Sequence, residues 1–410
     1  MIVLGPATSD PRVEKEARAL CENGFQITVL AWNKNGKLAA YEERNGFSIH
    51  RIGPNLPDSF YQLPRFGKFL VKAIATLSFS IEAIGAAIRA NPDMVHAHDL
   101  DTLTIGAILK MVKPSGRVKL VYDSHEDYPA LMTNDVGTWL GNFSGALERA
   151  LLEVVDGVIA SNHFIAARLS KHHSNVQIVT NAVDLHWFDG CTSSSLKLAE
   201  AKPFVTYEGL VCEGRGLLTL VKAKPFIRSK CTILIVGDGG YLSSLREICR
   251  MENIQGVIFT GHVARDYVPC ILKQSSVGIL LFESEPNNLV GVPNKLFEYA
   301  AASLPLVVSS LPVPTDFVRR YNCGITVNEQ DPRDVAHAID RLLANPSLRD
   351  QLGKNGKNAV ERFHNWQQQR RYLLRFVEGM QTQRDLHHPR PRQIALYSKH
   401  LNSEPTPVKS

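Results

Sequence analysis

Residues 277–302 read Val277-Gly278-Ile279-Leu280-Leu281-Phe282-Glu283-Ser284-Glu285-Pro286-Asn287-Asn288-Leu289-Val290-Gly291-Val292-Pro293-Asn294-Lys295-Leu296-Phe297-Glu298-Tyr299-Ala300-Ala301-Ala302. The apolar run Val277–Phe282 predicts a buried parallel strand. A loop rich in Pro, Asn and Gly follows. A helix is expected to start near Pro293 or Asn294, since Pro suits a first turn and Asn a cap. Strand, loop and helix N-terminus together make an anion site, because free N–H groups and the helix dipole point at whatever docks there. Lys295 opposes the dipole in that first turn, so helix stability does not explain it and a bound anion does. Glu298 follows Asn294 by four residues, on the same face. A carboxylate there can accept hydrogen bonds from a ribose diol, and it is equally what a solvated acid on an ordinary helix looks like.

Working outward, the same alternation recurs on both sides. Ile2–Leu4, Ile27–Ala31, Asp93–Asp101, Val118–Tyr122, Gly157–Ala160 and Val176–Val179 read as strands separated by helical segments. After residue 203 the pattern repeats in Phe204–Tyr207, Ile233–Val236, Val257–Thr260, Val277–Phe282, Leu306–Val308 and Ile325–Val327. Strands alternating with helices predict parallel sheets. The fold class expected is α/β, with two Rossmann-like domains facing each other across a cleft. The boundaries expected are residues 1–189, a linker at 190–202, and 203–364. A helix over 365–383 is expected to cross back to the first domain, and 384–410 to form a disordered basic tail.

The chain has 410 residues, 44% hydrophobic and 21% charged, which is the balance of a soluble protein with a sizeable core. Its net charge of +6 suits anionic small molecules or an anionic membrane surface, and no nucleic-acid partner is expected. The seven cysteines contain no C-x-x-C pair, which argues for reduced thiols, a cytoplasmic setting and no zinc site. No leader is expected, because Met1 runs straight into a strand. The opening β-loop-α unit lacks dinucleotide-fingerprint glycines, so NAD binding is not expected.

Six other stretches stand out. Phe66–Ile88 is strongly apolar, with Lys68, Lys72 and Glu82 as its charges. It fits an amphipathic helix on an anionic membrane, and it fits a long helix packed on the sheet. His96-Ala97-His98-Asp99-Leu100-Asp101 stands at a strand end that faces the ligand crevice in open α/β sheets. It admits a metal pair, a D-x-D motif, or polar groups around a sugar, and the last is favoured. Asp123-Ser124-His125-Glu126 is a second polar cluster at a strand end. In the second half, Gly209…Gly214-Arg215-Gly216 places an arginine between glycines, free to grip a phosphate. Gly237-Asp238-Gly239-Gly240 and Gly261-His262-Val263 are further strand-end loops.

Taken together these segments resemble the family-4 retaining glycosyltransferases of the GT-B architecture. The resemblance runs through Asp10-Pro11-Arg12-Val13, His96-Ala97-His98-Asp99, Tyr122-Asp123-Ser124-His125-Glu126, Asn181-Ala182-Val183-Asp184, Gly209…Arg215-Gly216-Leu217, Val236-Gly237-Asp238-Gly239, Phe259-Thr260-Gly261-His262-Val263 and Pro293…Tyr299 with Leu304–Val308. It covers roughly residues 1–380. It implies that Glu298 holds the nucleotide ribose, Arg215 the donor diphosphate, and His98 a place by the reacting sugar as the catalytic residue. It implies that Gly291, Asn294 and Lys295 cradle sugar and phosphates, and that Gly237, Asp238, Gly239 and His262 flank the base. Asp10, Asp99 and His125 fall on the acceptor side.

The resemblance implies transfer of a sugar with retention, from a UDP-sugar in preference to a GDP-sugar, onto a hydroxyl acceptor. That acceptor is a lipid-linked or soluble glycan, and the setting is polysaccharide or glycolipid synthesis in the cytoplasm, with peripheral contact to an anionic membrane as one form. No metal and no cofactor beyond the donor is expected, because cationic side chains occupy the diphosphate site. Three departures stand against the pattern. Val290 replaces the first Glu of the E-x7-E motif, Leu210 a second phosphate Arg, and Ser303 a usual Gly. Val290 predicts weak discrimination at one donor hydroxyl, or a preference for an N-acetylated or deoxy sugar. A sugar-nucleotide epimerase and a catalytically inactive GT-B subunit remain as alternatives.

Overall fold

The computed structural model describes residues 1–385 except 8–9, 57–59, 61–64, 114–117, 189–202, 286–287 and 290. The linker expected at 190–202, the tail from 386 on and Val290 lie outside the described residues.

Two sheets organise the chain. The first has eight strands in the order β3-β4-β2-β1-β5-β6-β7-β8. In chain order these are β1 (Ile2–Val3), β2 (Thr28–Trp32), β3 (Tyr41–Arg44), β4 (Phe47–Ile52), β5 (Met94–His98), β6 (Lys119–Ser124), β7 (Gly157–Ala160) and β8 (Val176–Ile178). The second has six, in the order β11-β10-β9-β12-β13-β14. These are β9 (Phe204–Glu208), β10 (Thr232–Val236), β11 (Val257–Gly261), β12 (Val277–Leu280), β13 (Leu306–Ser309) and β14 (Gly324–Val327). All pairings in the second sheet are parallel. Buried on both faces, its strands are runs such as Thr232-Ile233-Leu234-Ile235-Val236. Two doubly wound sheets, parallel except for one edge pair in the first, define the α/β class expected.

The β3–β4 hairpin is antiparallel and was not foreseen. Its signal was present: Asn45-Gly46 lies between the strands, and both residues have positive φ, 51° and 87°. That is the two-residue turn whose twist matches a hairpin. The charged run Tyr41-Glu42-Glu43-Arg44 hid it, because an edge strand carries little apolar alternation.

The helices that matter for the site are α1 (Pro11–Cys21), α2 (Arg65–Ala90), α3 (Asp99–Val112), α4 (Tyr128–Asp135) and α5 (Thr138–Leu152) in the first half. In the second half they are Leu217–Ala223 and Asn294–Ala301. The final helix, Trp366–Asp385, returns to the first sheet. Trp366, Leu373, Val377 and Met380 pack with Leu20, Val121 and Ile159. The Gln369 Oε1 accepts a hydrogen bond from the Thr180 N–H (2.9 Å), and the Trp366 N–H donates to Val183 O (2.9 Å). Cys21, Cys212, Cys231, Cys249 and Cys323 are free thiols, as expected, but Cys270 is disulfide-bonded, against the expectation of reduced thiols throughout.

Candidate active site

The C-terminal ends of both sheets converge on a cleft with two adjoining cavities of about 290 and 380 Å³. Pro11, Lys15, Asn181 and Asn294 line both.

The wall from the second domain is built first by β12. Phe282 follows that strand, and two cations lie against its ring: the Arg215 guanidinium at 4.2 Å from the centroid and Lys295 Nζ at 6.0 Å. All three line the smaller cavity, with Gly291 and Asn294. The glycines explain how the cations get there. Gly216 has φ 63°, and a Cβ on it would meet Leu281 O at 2.1 Å. Gly209 has φ 124°, and a Cβ on it would meet Lys295 Cε at 2.3 Å. Only a residue without a Cβ lets the Arg215 turn close and the Lys295 stem cross the Gly209 backbone.

The helix Asn294–Ala301 begins one residue earlier than a cap at Asn294 would give. Pro293 is the N-cap and makes no side-chain cap bond. Proline brings no side-chain acceptor and its carbonyl takes the Leu296 N–H (3.1 Å), so no cap side chain occupies the Asn294 and Lys295 N–H groups. Glu298, 8% exposed, lines the larger cavity with Arg265, whose Nη2 lies 3.7 Å from Glu298 Oε1. The Arg265 guanidinium in turn sits over Trp187 at 4.6 Å. Glu208, at the end of β9, was not foreseen. Burial and the facing Glu298 carboxylate push its pKa up to about 7, against the pull of Lys295 and Arg265.

The wall from the first domain carries Asp10, Arg12, Lys15, His125, Glu126 and Asn181. Asp10 caps α1, accepting from the Arg12 and Val13 N–H groups (3.0 and 3.2 Å). The Arg12 side chain turns elsewhere. Its guanidinium crosses to Asp123 (Nη2–Oδ1 2.6 Å) and donates to Val179 O (2.8 Å) and Asn181 Oδ1 (3.0 Å). Lys15 donates to Ala182 O (2.6 Å) over the Trp366 ring, and burial with the nearby Arg265 lowers its pKa to about 8. The buried Arg12 and Glu16, four apart on the α1 face that also buries Val13 and Ala17, were the sequence signal for this charged wall.

His98 does not line either cavity. It is 2% exposed and lies behind His125, which does line one. The His125 Nε2 is 2.9 Å from His98 Nδ1 and 3.0 Å from Asp123 Oδ2. The backbone fixes the ring as well: the His125 N–H donates to Asp99 Oδ1 (2.9 Å), and its carbonyl accepts from Ser161 Oγ (2.6 Å). Burial would lower the His125 pKa, but the Asp99 and Asp123 carboxylates outweigh it and hold it at about 10. His98 goes the other way: burial and the stacked His96 push it down to about 3. Of two adjacent imidazoles, the one facing the cleft is charged and the one behind it is neutral.

Glu16, His96, His98 and Asp123 bring ligand-type atoms within 4.8 Å of one another. Arg12 stands among them, with Nε 3.1 Å from Glu16 Oε1 and 3.0 Å from Asp123 Oδ2, so a fixed cation already supplies the counter-charge. The D-x-D carboxylates are engaged separately, Asp99 by the His125 N–H and Asp101 by the Tyr128 hydroxyl.

Gly237, Asp238, Gly239 and His262 line neither cavity. The Gly237 and Gly239 positions are set by packing: a Cβ would meet Gly209 O at 1.9 Å or Val211 O at 2.2 Å. The Gly237–Gly239 loop therefore supports the Gly209–Val211 loop, and His262 is exposed. Leu210 is 59% exposed.

Comparison with known proteins agrees with this geometry. Residues 12–187 match the family "Glycosyltransferase Family 4", and residues 202–345 match "Glycosyl transferases group 1". The chain belongs to the group 1/family 4 glycosyltransferases and has their GT-B fold. It is similar to the uncharacterized glycosyltransferase MJ1607 of Methanocaldococcus jannaschii, 21% identical, covering 85% of this chain and 88% of that one. A D-inositol 3-phosphate glycosyltransferase of Nocardioides sp. is 27% identical, covering 69% of this chain and 66% of its own. Among solved structures, the sucrose-phosphate synthase of Thermosynechococcus elongatus superposes with TM-score 0.71 at 20% identity, covering 94% and 98% of the two chains. Anabaena HepE in complex with UDP-glucose gives 0.71 at 13% identity, covering 92% and 98%.

Proposed function

We propose that this glycosyltransferase moves a sugar from a UDP-sugar to a hydroxyl acceptor with retention of configuration, without a metal. The observation that carries the reading is the placement of Arg215 and Lys295 on one ring, at an uncapped helix N-terminus, opposite His125 of the other domain. Three cationic side chains and a helix N-terminus without a side-chain cap converge where a nucleoside diphosphate leaves. The C1–O bond to the β-phosphate breaks, and its electron pair stays on the phosphate oxygen. That charge is met by Arg215, Lys295 and the His125 imidazolium. The acceptor oxygen attacks C1 from the face the phosphate leaves, and its proton passes to the departing phosphate oxygen. Glu298 holds the ribose diol, and burial together with the Glu298 charge raises the Glu208 pKa to about 7, which lessens the repulsion between the two carboxylates.

UDP is favoured over GDP because HepE, a structural neighbour, is described in complex with UDP and with UDP-glucose. The acceptor is a glycan hydroxyl of polysaccharide or glycolipid synthesis, lipid-linked or soluble, and the setting is cytoplasmic. The test is product analysis by NMR, after incubation with UDP-glucose and a hydroxyl acceptor, with and without EDTA. An α-linked product formed equally in both supports the reading. An isomerised donor without acceptor identifies an epimerase, no turnover with intact donor binding identifies an inactive subunit, and loss of activity in EDTA restored by Mg²⁺ overturns the metal-free mechanism.

A further inference from the structure

Helix α2 is apolar on two opposite faces. Ala75, Phe79, Ala83 and Ala87 are buried, and Phe79 stacks on Trp32 at 6.0 Å. That face anchors the helix in the core of the first domain. Leu70, Ile74, Leu77, Ile81 and Ile88 are exposed, and their spacings of 4, 3, 4 and 7 residues place them on one stripe. The stripe lies opposite the buried face. A soluble helix packed on a sheet needs only the inner face apolar, so the outer one is unexplained by folding.

The neighbouring helices extend the same surface. Helices α2, α3 and α5 cover one face of the first sheet and share one core. The Lys113 ammonium, just past α3, donates to Asn91 Oδ1 (2.6 Å), just past α2, so the two helices end side by side. On α3, Met111 and Val112 are exposed. On α5, Trp139 (65%) and Phe143 (60%) are exposed one turn apart. Both stand at the N-terminal end of α5, which lies with the C-terminal ends of β5 and β6, where His98 and His125 sit. The apolar layer therefore extends to the end of the sheet on which the cleft opens. Monomeric soluble proteins rarely expose an apolar patch that continues across several elements. Among the described residues of the three helices, the exposed charged groups are Lys72, Arg89 and Arg149 against Glu82 alone. The Glu82 carboxylate already accepts from the Gly53 N–H (3.0 Å). An apolar stripe on a surface whose exposed charges, Lys72, Arg89 and Arg149 against Glu82, are net cationic fits the boundary of an anionic bilayer.

We propose that the α2–α3–α5 face docks the protein, lying flat, on an anionic lipid surface, so that the cleft opens at the headgroups and takes an acceptor carried on a lipid. The proposal deepens the glycosyltransferase reading and rests on it for the acceptor. Leu70–Ala90 is long and apolar enough to cross a membrane, but a crossing helix would have to pull Phe79 and Ala83 out of the core.

The experiment uses the full chain with vesicles of phosphatidylcholine, with and without phosphatidylglycerol, and follows co-sedimentation and tryptophan emission. Trp139 is the exposed indole among the described tryptophans, since Trp32 and Trp366 are buried and Trp187 is partly so. Expected are binding to the phosphatidylglycerol vesicles, a blue shift that Trp139→Phe removes, and loss of about ten-fold or more of the bound protein in Leu77→Glu/Ile81→Glu. UDP-glucose affinity, measured by calorimetry on the same preparations, is expected to stay unchanged. Wild-type protein that ignores both vesicle types, a double variant that binds like wild type, or protein that alkaline carbonate fails to strip each overturns the proposal. The calorimetry separates the two readings. Failed docking with intact donor binding leaves the glycosyltransferase standing, and absent donor binding strikes that reading whatever the vesicles show.

Discussion

His98 and His125 share one oxygen of Asp123: Oδ2 lies 3.1 Å from His98 Nδ1 and 3.0 Å from His125 Nε2. The two rings meet edge to face at 5.1 Å. Asp123 is fully buried and also held by Arg12, so its negative charge is fixed. The arrangement divides the labour between the imidazoles. His125 faces the cleft as a cation, and His98 is the neutral strut that aims it.

His125→Asn should lower kcat by about a hundred-fold, the scale for removing one preorganised charge at a leaving group. The pH profile is the sharper readout. The His125 pKa is raised from 6.5 to about 10, so the imidazolium persists through neutral pH. Wild-type kcat is expected to be flat across neutrality and to fall as pH approaches 10, and the variant should lose that alkaline limb. His98→Asn should leave the limb in place but shift it. A limb unchanged in His125→Asn would move the charge elsewhere. The same sign applies to stability, since a raised histidine pKa contributes below 6.5 and is lost as pH rises through 10.

Gly209→Ala tests the Lys295 placement without touching the ligand. The new Cβ would fall on the lysine stem, at a φ that L residues avoid. Donor affinity should drop nearly as far as in Lys295→Ala, by about 1.5–3 kcal/mol for a charged hydrogen bond. Combining the two should add little, because both remove one contact. Full additivity in a calorimetric double-mutant cycle would mean that Lys295 acts away from Gly209.

Glu298→Gln should weaken UDP-sugar binding by roughly ten- to a hundred-fold, with the melting temperature held or raised. The rise would come from Glu208, which loses the facing carboxylate that lifts its pKa. Unchanged affinity for UDP together with an unchanged melting temperature would remove Glu298 from the ribose.

Ser303 adopts φ 61°, and its carbonyl lies where a Cβ on Gly353 would meet it at 2.1 Å. The position is left-handed, which accounts for the glycine that the sequence pattern expects there. Ser303→Gly should stabilise the fold by about 1 kcal/mol by removing that strain, readable as a higher urea midpoint. A lower midpoint would mean that the serine makes compensating contacts.

The alternation of apolar strands with helices made the two parallel sheets legible. The cationic wall of Arg215 and Lys295 was legible because each residue broke a local rule. Lys295 opposes a helix dipole, and Arg215 sits between two glycines. What was not legible depends on long-range packing. That His98 lies behind His125 follows from the register of β5 on β6, which pairs His98 with Asp123. That Arg12 reaches Asp123, 111 residues away, follows from burial of a whole α1 face. Glu208 gave no signal, since a glutamate at a strand end reads as an ordinary solvated acid until Glu298 is brought to face it.

The most direct test of the cleft as a UDP-sugar site is titration calorimetry of UDP-glucose into wild-type protein and Arg215→Ala/Lys295→Ala. The predicted result is saturable binding in the presence of EDTA by the wild type, weakened at least about a hundred-fold in the double variant, with GDP-sugars binding more weakly than UDP-sugars. Equal binding by wild type and double variant, or no binding of any nucleotide sugar by the wild type, would contradict it.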